Sequence, residues 1–290
     1  MISGGGVRAA AVATLLAVLA TAGTASAAEF RPATGPSDSE GPRIETATSG
    51  ETIYYNAEKK AKFSYRIEHT EPVSVRIDVI RDSDGAIIET WKPPPVESDE
   101  VQDVKWDGVA DDRVTREGRY RFRLTARDDD GLESASADPE DRSRDDFEFY
   151  RHFFPIRGRH DYGSTGSRFG AGRSGHSHQG QDVFAECGTD LVAARGGRVQ
   201  TRQYHYAAGH YLVIDGKKAD EDYAYMHLKK ESPRKPGERI HTGQRLGAVG
   251  ESGNAQGCHL HFELWSAPGW YEGGSPYDPL PSLKHWDSFS

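Results

Sequence analysis

A mainly β protein in two units is what this sequence predicts, on three observations. Short runs of alternating apolar and polar residues fill the first half, and no helical period accompanies them. Beyond Arg151 the composition shifts toward His, Gly and aromatic residues. At 290 residues two domains is also the natural expectation from length. The chain carries 36 Lys+Arg against 45 Asp+Glu, a net charge of −9. A balance of that sign releases no counterions from a polyphosphate, so DNA or RNA is not the expected partner. With 28% charged residues, neither a multi-pass membrane protein nor a disordered chain fits.

The elements follow in order. Arg8 precedes an apolar run over residues 9–23, and Ala25-Ser26-Ala27 supplies a small-residue cleavage site. Residues 1–27 therefore read as a signal peptide, too short in its apolar part to span a bilayer. Export follows as the expectation, and the mature chain has no membrane-spanning segment. Residues 28–47 are rich in Pro, Gly and Ser and read as a linker.

From 48 to 127, Phe63, Tyr65 and Ile67 alternate with polar residues, as do Val73, Val75, Ile77 and Val79, and Tyr120, Phe122 and Leu124. Each set places one face on a core and one in water. Asp84-Gly85 marks a hairpin turn, and Pro93-Pro94-Pro95 ends a strand. Together they predict a small antiparallel β-sandwich. Val104-Lys105-Trp106-Asp107-Gly108 and Glu117-Gly118-Arg119-Tyr120 resemble the immunoglobulin-like domain of flagellar hook-capping proteins. Residues 128–150 are Asp- and Ser-rich and read as an acidic linker, leaving 151–290 as the second domain.

An exported chain with two cysteines, Cys187 and Cys258, is expected to join them in a disulfide. Zinc thiolates are the weaker reading, because neither cysteine sits in a Cys-x-x-Cys pair.

Most of the 12 histidines fall in the second domain. His259-Leu260-His261-Phe262-Glu263 alternates as a strand, so both imidazoles share one face about 6.6 Å apart at Cα. His178 and Asp182 would stand about 13 Å apart on a straight strand, and Gly180 between them permits a bend. A His and a carboxylate from here, with one His of the other pair, make three metal donors and leave a fourth position open. In Tyr223-Ala224-Tyr225-Met226-His227-Leu228, alternation groups Tyr223, Tyr225 and His227 on one side.

His178-x-x-x-Asp182, Tyr-x-His at His227 and His259-x-His261, in that order, resemble the lysostaphin-type (LytM-like) zinc endopeptidases. The flanking Gly196-Gly197-x-Val199, Tyr211-Leu212-Val213-Ile214-Asp215 and Gly243-Gln244-x-Leu246-Gly247 agree, over residues 154–281. The resemblance implies an antiparallel-sheet peptidase domain with one Zn2+ held by His178, Asp182 and His261. It implies His227 and His259 as non-ligand catalytic residues and peptidoglycan peptides, stem or cross-bridge, as substrate. The protein would be secreted, wall-associated and monomeric. Tyr225 and His210 are candidate substrate contacts, with packing the alternative for Tyr225. No His-Glu-x-x-His is present, so a glutamate base of the thermolysin kind is not expected. Two rivals stand beside the hydrolase: a non-hydrolytic wall adaptor of the same fold, which would lack donors present here, and a peptidase acting on glycine-rich proteins.

Overall fold

The structure is a computed structural model describing residues 31–32, 41–136 and 145–290. The expected signal peptide lies outside the described residues, as do 28–30 and 33–40 of the first expected linker and 137–144 of the second.

The first unit contains β1 (Arg43–Ser49), β2 (Thr52–Tyr54), β3 (Ala61–Glu68), β4 (Ser74–Arg81), β5 (Ile87–Trp91), β6 (Gln102–Trp106), β7 (Gly118–Arg127) and β8 (Asp146–Tyr150). One sheet runs β1-β3-β6, with Arg31–Pro32 on the β1 edge; the other runs β2-β8-β7-β4-β5. Phe63, Tyr65 and Ile67 of the first sheet meet Ile77, Val79, Phe122 and Leu124 of the second in one core. Phe63 stacks on Phe122 across the sheets with ring centroids 5.0 Å apart. Trp106 packs on Tyr120 and Phe149. Gly108 closes that corner: a Cβ there would lie 2.0 Å from the Phe149 ring. Asp84-Gly85 forms the β4–β5 turn, with Gly85 at φ +69°, and β5 ends two residues before Pro93.

Both expected linkers contain strand. Residues 43–47 belong to β1, paired with β3, and residues 146–150 are β8, paired with β7 and β2. Glu133–Ala135 adds to β7 as well. The sequence carries the alternation here, with Ile44 and Thr46, then Phe147 and Phe149, buried. Each run is short enough that the Pro, Ser and Asp around it dominate the local composition.

The second unit is built on one antiparallel sheet ordered β9-β10-β15-β13-β12-β11-β14. Its strands are β9 (His160–Asp161), β10 (Gln181–Ala185), β11 (Gly197–His205), β12 (Gly209–Gly216), β13 (Glu221–Leu228), β14 (Arg239–Ile240) and β15 (His259–Ser266). One face carries the main core of Val183, Leu212, Ile214, Tyr223, Tyr225, Leu260, Phe262 and Leu264. Helix α1 (Leu280–Asp287) closes that core with Leu283 and Trp286. The opposite face carries a smaller cluster of Tyr211, Val213, Ala224 and Met226 against Trp270. Among the described residues no helix is long and apolar enough to cross a membrane.

The two units touch through named contacts. Thr242 Oγ1 donates to the Tyr55 carbonyl, and Asn56 Nδ2 donates to the Ile240 carbonyl at 3.2 Å. Tyr150 stacks on Phe289 with centroids 3.7 Å apart, and His285 Nε2 lies 2.8 Å from Glu117.

Candidate metal centre

β10 and β15 are hydrogen-bonded neighbours, and Asp182 stands directly opposite His261 in their register. Cross-strand partners share a face, so a carboxylate and an imidazole meet there without any special loop. His178 arrives from the turn just before β10. Gly180 lets it arrive, by close approach rather than by unusual backbone angles. A Cβ at 180 would lie 2.4 Å from the Phe262 carbonyl and 2.7 Å from His261 Nε2.

Three atoms converge. His178 Nε2 is 3.0 Å from Asp182 Oδ1 and 2.9 Å from His261 Nδ1, and His261 Nδ1 is 2.9 Å from the same Asp182 oxygen. All three residues are buried below a tenth of their surface. The far nitrogens identify the near ones. His178 Nδ1 is 2.8 Å from the Arg168 carbonyl, which can only accept, so Nδ1 carries the proton and Nε2 a lone pair. His261 Nε2 lies 3.0 Å from Glu263 Oε1, so the neutral ring keeps its proton on Nε2 and has its lone pair on Nδ1. Two such nitrogens and a carboxylate oxygen at these distances repel one another unless a positive charge, a proton or a metal ion, sits among them.

The ionisation of the bare pocket says the same. Burial opposes charge on His261, but its hydrogen bonds to Asp182 and Glu263 win and push it up to about 9. Burial also opposes ionisation of Asp182, yet the two imidazoles hold its carboxyl well below the usual range. The donor set therefore fits a divalent cation of the zinc type, with two nitrogens, one oxygen and one position left for solvent or substrate. His178, Asp182 and His261 also form a potential metal-binding group by mutual distance alone. Arg173 adds a neighbour that no sequence pattern flagged, its Nη2 lying 3.4 Å from Asp182 Oδ2.

His259 and His227 flank the triad. His259 Nδ1 is 2.9 Å from the Gly257 carbonyl and its Nε2 is 3.7 Å from Asp182 Oδ1. His227 Nδ1 is 2.8 Å from the Ser252 carbonyl, and its ring centroid is 4.7 Å from that of His259. Both rings thus donate through Nδ1 and offer Nε2 as an acceptor. Burial lowers both, His227 to about 4, so both are neutral near pH 7.

His227 corrects the alternation. Tyr223 and Tyr225 lie in the main core with Leu228, while Ala224 and Met226 lie on the opposite face. His227 adopts φ +60°, and the β12–β13 register shifts between His210 and Leu212. That irregularity breaks the two-residue period and turns the imidazole toward His259 and His261 instead of leaving it beside the tyrosines. Tyr225 is consequently not a groove residue. It is fully buried, its hydroxyl accepts from the Ala194 N–H at 2.8 Å, and it packs on Phe262. His210 stacks edge-on with Tyr204 rather than joining the four histidines. His176 is exposed beside the Ser174 carbonyl. Cys187 and Cys258 are joined in a disulfide with Cα atoms 5.3 Å apart, anchoring the chain one residue before His259.

Residues 176–279 match the model of Peptidase family M23. The chain is 36% identical over 90 residues to the peptidoglycan DD-endopeptidase ShyC of Vibrio cholerae serotype O1, covering 30% of this chain and 20% of the relative. It is 31% identical over 114 residues to the glycyl-glycine endopeptidase ALE-1 of Staphylococcus capitis, covering 39% of this chain and 31% of that one. The match thus spans a third or less of these relatives' lengths. Among solved structures, the catalytic domain of lysostaphin from Staphylococcus simulans aligns at 26% identity and a TM-score of 0.37, over 43% of this chain and 92% of the other. The family match and the curated relatives support family M23, a peptidase family, for the second unit.

Proposed function

We infer that the chain is an exported zinc metalloendopeptidase that hydrolyses peptide bonds in peptidoglycan. The observation that carries this reading is the convergence of His178 Nε2, Asp182 Oδ1 and His261 Nδ1 at 2.9–3.0 Å, beside two neutral imidazoles. The relatives named for peptidoglycan and glycyl-glycine cleavage support the substrate class.

When bound, zinc supplies Lewis acidity that polarises a peptide carbonyl and acidifies water. The protein's own groups do the rest. His259, with its Nε2 lone pair near the donor triad, takes the proton from the attacking water as its oxygen bonds to the carbonyl carbon. His227, kept neutral near pH 7 because burial lowers it to about 4, receives that proton on Nε2 from its neighbour His259 and passes it to the departing amine nitrogen as the C–N bond breaks, leaving both rings neutral again. The Ser252 and Gly257 carbonyls hold the two rings in orientation throughout.

The first unit is, in this reading, an immunoglobulin-like module that positions the enzyme at the wall. Its contacts described above fall on Ile240, Thr242, His285 and Phe289, not on the histidine groove, which favours positioning over gating. The wall-adaptor alternative is disfavoured by the complete donor set. The test is mass spectrometry of soluble fragments released from purified peptidoglycan, with and without a chelator. Zinc-dependent release of peptide fragments is expected. Absence of release by the zinc-loaded chain would reject the reading.

A further inference from the structure

On the same face as His259 and His261, β15 continues to Glu263 and Trp265, since side chains repeat every second residue. Glu263 is 3% exposed and makes three hydrogen bonds, all to N–H donors. Oε1 accepts from His261 Nε2 at 3.0 Å. Oε2 accepts from the indole of Trp265 at 2.7 Å and from that of Trp270 at 3.3 Å. Trp270 belongs to the loop following β15. Its backbone N–H donates to Asp222 Oδ2 at 2.8 Å, and the neighbouring Tyr271 hydroxyl reaches Gln179, the residue after His178, at 3.2 Å. The loop is therefore tied both to β13 and to the segment carrying His178, with its indole on the carboxylate behind a metal donor.

We propose that Glu263 is a positioning residue that aims the His261 Nδ1 lone pair into the metal pocket, and that the indoles of Trp265 and Trp270 clamp it for that task. The proposal rests on the zinc reading above. The chemistry explains why a carboxylate stands here. Both oxygens face N–H groups, so both must accept. An amide presents one oxygen and one NH2, and whichever way it turns, a donor meets a donor. A rotated or released carboxylate would free the His261 ring to turn about Cβ and would leave two indole N–H groups unpaired in a buried site. The loop carrying Trp270 thereby becomes a determinant of metal affinity, although none of its residues touches the pocket of His178, Asp182 and His261.

The experiment is zinc competition against a chromophoric chelator on the full chain, run beside thermal unfolding of the metal-free protein. Glu263→Ala is expected to weaken zinc binding roughly 10–100-fold, and Glu263→Gln to fall between it and the parent. Trp270→Phe, which keeps an aromatic ring but removes the indole N–H and part of its packing on the Tyr211 cluster, is expected to weaken zinc about threefold with only a small fall in the metal-free midpoint. A residue with only a structural role would lower the midpoint and leave zinc affinity alone. Parental zinc affinity in Glu263→Gln or in Trp270→Phe overturns the proposal, and Trp270→Phe decides the matter if Glu263→Ala does not fold. A parent chain that binds no zinc would instead reject the metalloenzyme reading itself.

Discussion

Replacing Cys187 and Cys258 together by Ala removes a link between positions 71 apart in sequence. In the chain-entropy treatment, opening a loop of that length releases denatured-state freedom worth about 4 kcal/mol. Cys187 is exposed and Cys258 only half-buried, so the lost packing adds little. A change of about 4 kcal/mol is close to a thousandfold in the folding equilibrium and a large part of the roughly 5–15 kcal/mol that holds a domain together. With an m-value near 2 kcal/mol per molar, the urea midpoint of the second unit should fall by roughly 2 M. Tryptophan fluorescence follows it, since Trp265, Trp270 and Trp286 all lie in that unit. The chemistry should suffer separately. The Gly257 carbonyl that holds His259 Nδ1 adjoins Cys258, whereas Asp182 and His261 are held by strand pairing. Peptide release should therefore drop while zinc is retained. A midpoint shift equivalent to less than about 1 kcal/mol would refute the loop-closure reasoning.

Four other outcomes are expected. His261→Ala should lose both metal and peptide release, while His259→Ala keeps metal, read by metal analysis, and loses release by roughly 10²–10⁴-fold; parental hydrolysis by His259→Ala would remove it from the proton-transfer role. Burial pushes His227 down to about 4, below its ordinary value of 6.5, so protonation favours the unfolded chain. Its contribution is present above pH 6.5 and is lost as pH falls toward 4, about 3 kcal/mol in all; His227→Gln should flatten that part of the stability–pH curve of the metal-free protein. Gly180→Ala would place a methyl 2.7 Å from His261 Nε2 and should weaken zinc binding, measured by chelator competition. Gly209→Ala, at φ +65° and with a Cβ 2.2 Å from the Ser252 carbonyl that holds His227, should slow peptide release and lower the melting temperature.

Local pattern determined much of this protein. Period-two alternation is a property of the strand itself, so β3, β4, β7 and β15, the turn at Asp84-Gly85 and the shared face of His259 and His261 were legible from neighbouring residues alone. Glu263 was legible by the same rule, two residues past His261, though its role was not. What the tertiary structure decided depends on residues distant in sequence. His227 faces the groove only because β13 is irregular against β12, and the same irregularity leaves Tyr225 in the core. Gly180 matters through the Phe262 carbonyl and the His261 ring, some eighty residues away. Arg173 meets Asp182 from a separate turn, and β1 and β8 become strands by pairing with β3 and β7. Alternation encodes which face a side chain takes along one strand; the partner a strand pairs with, and where that pairing slips, is a packing decision taken by the whole chain.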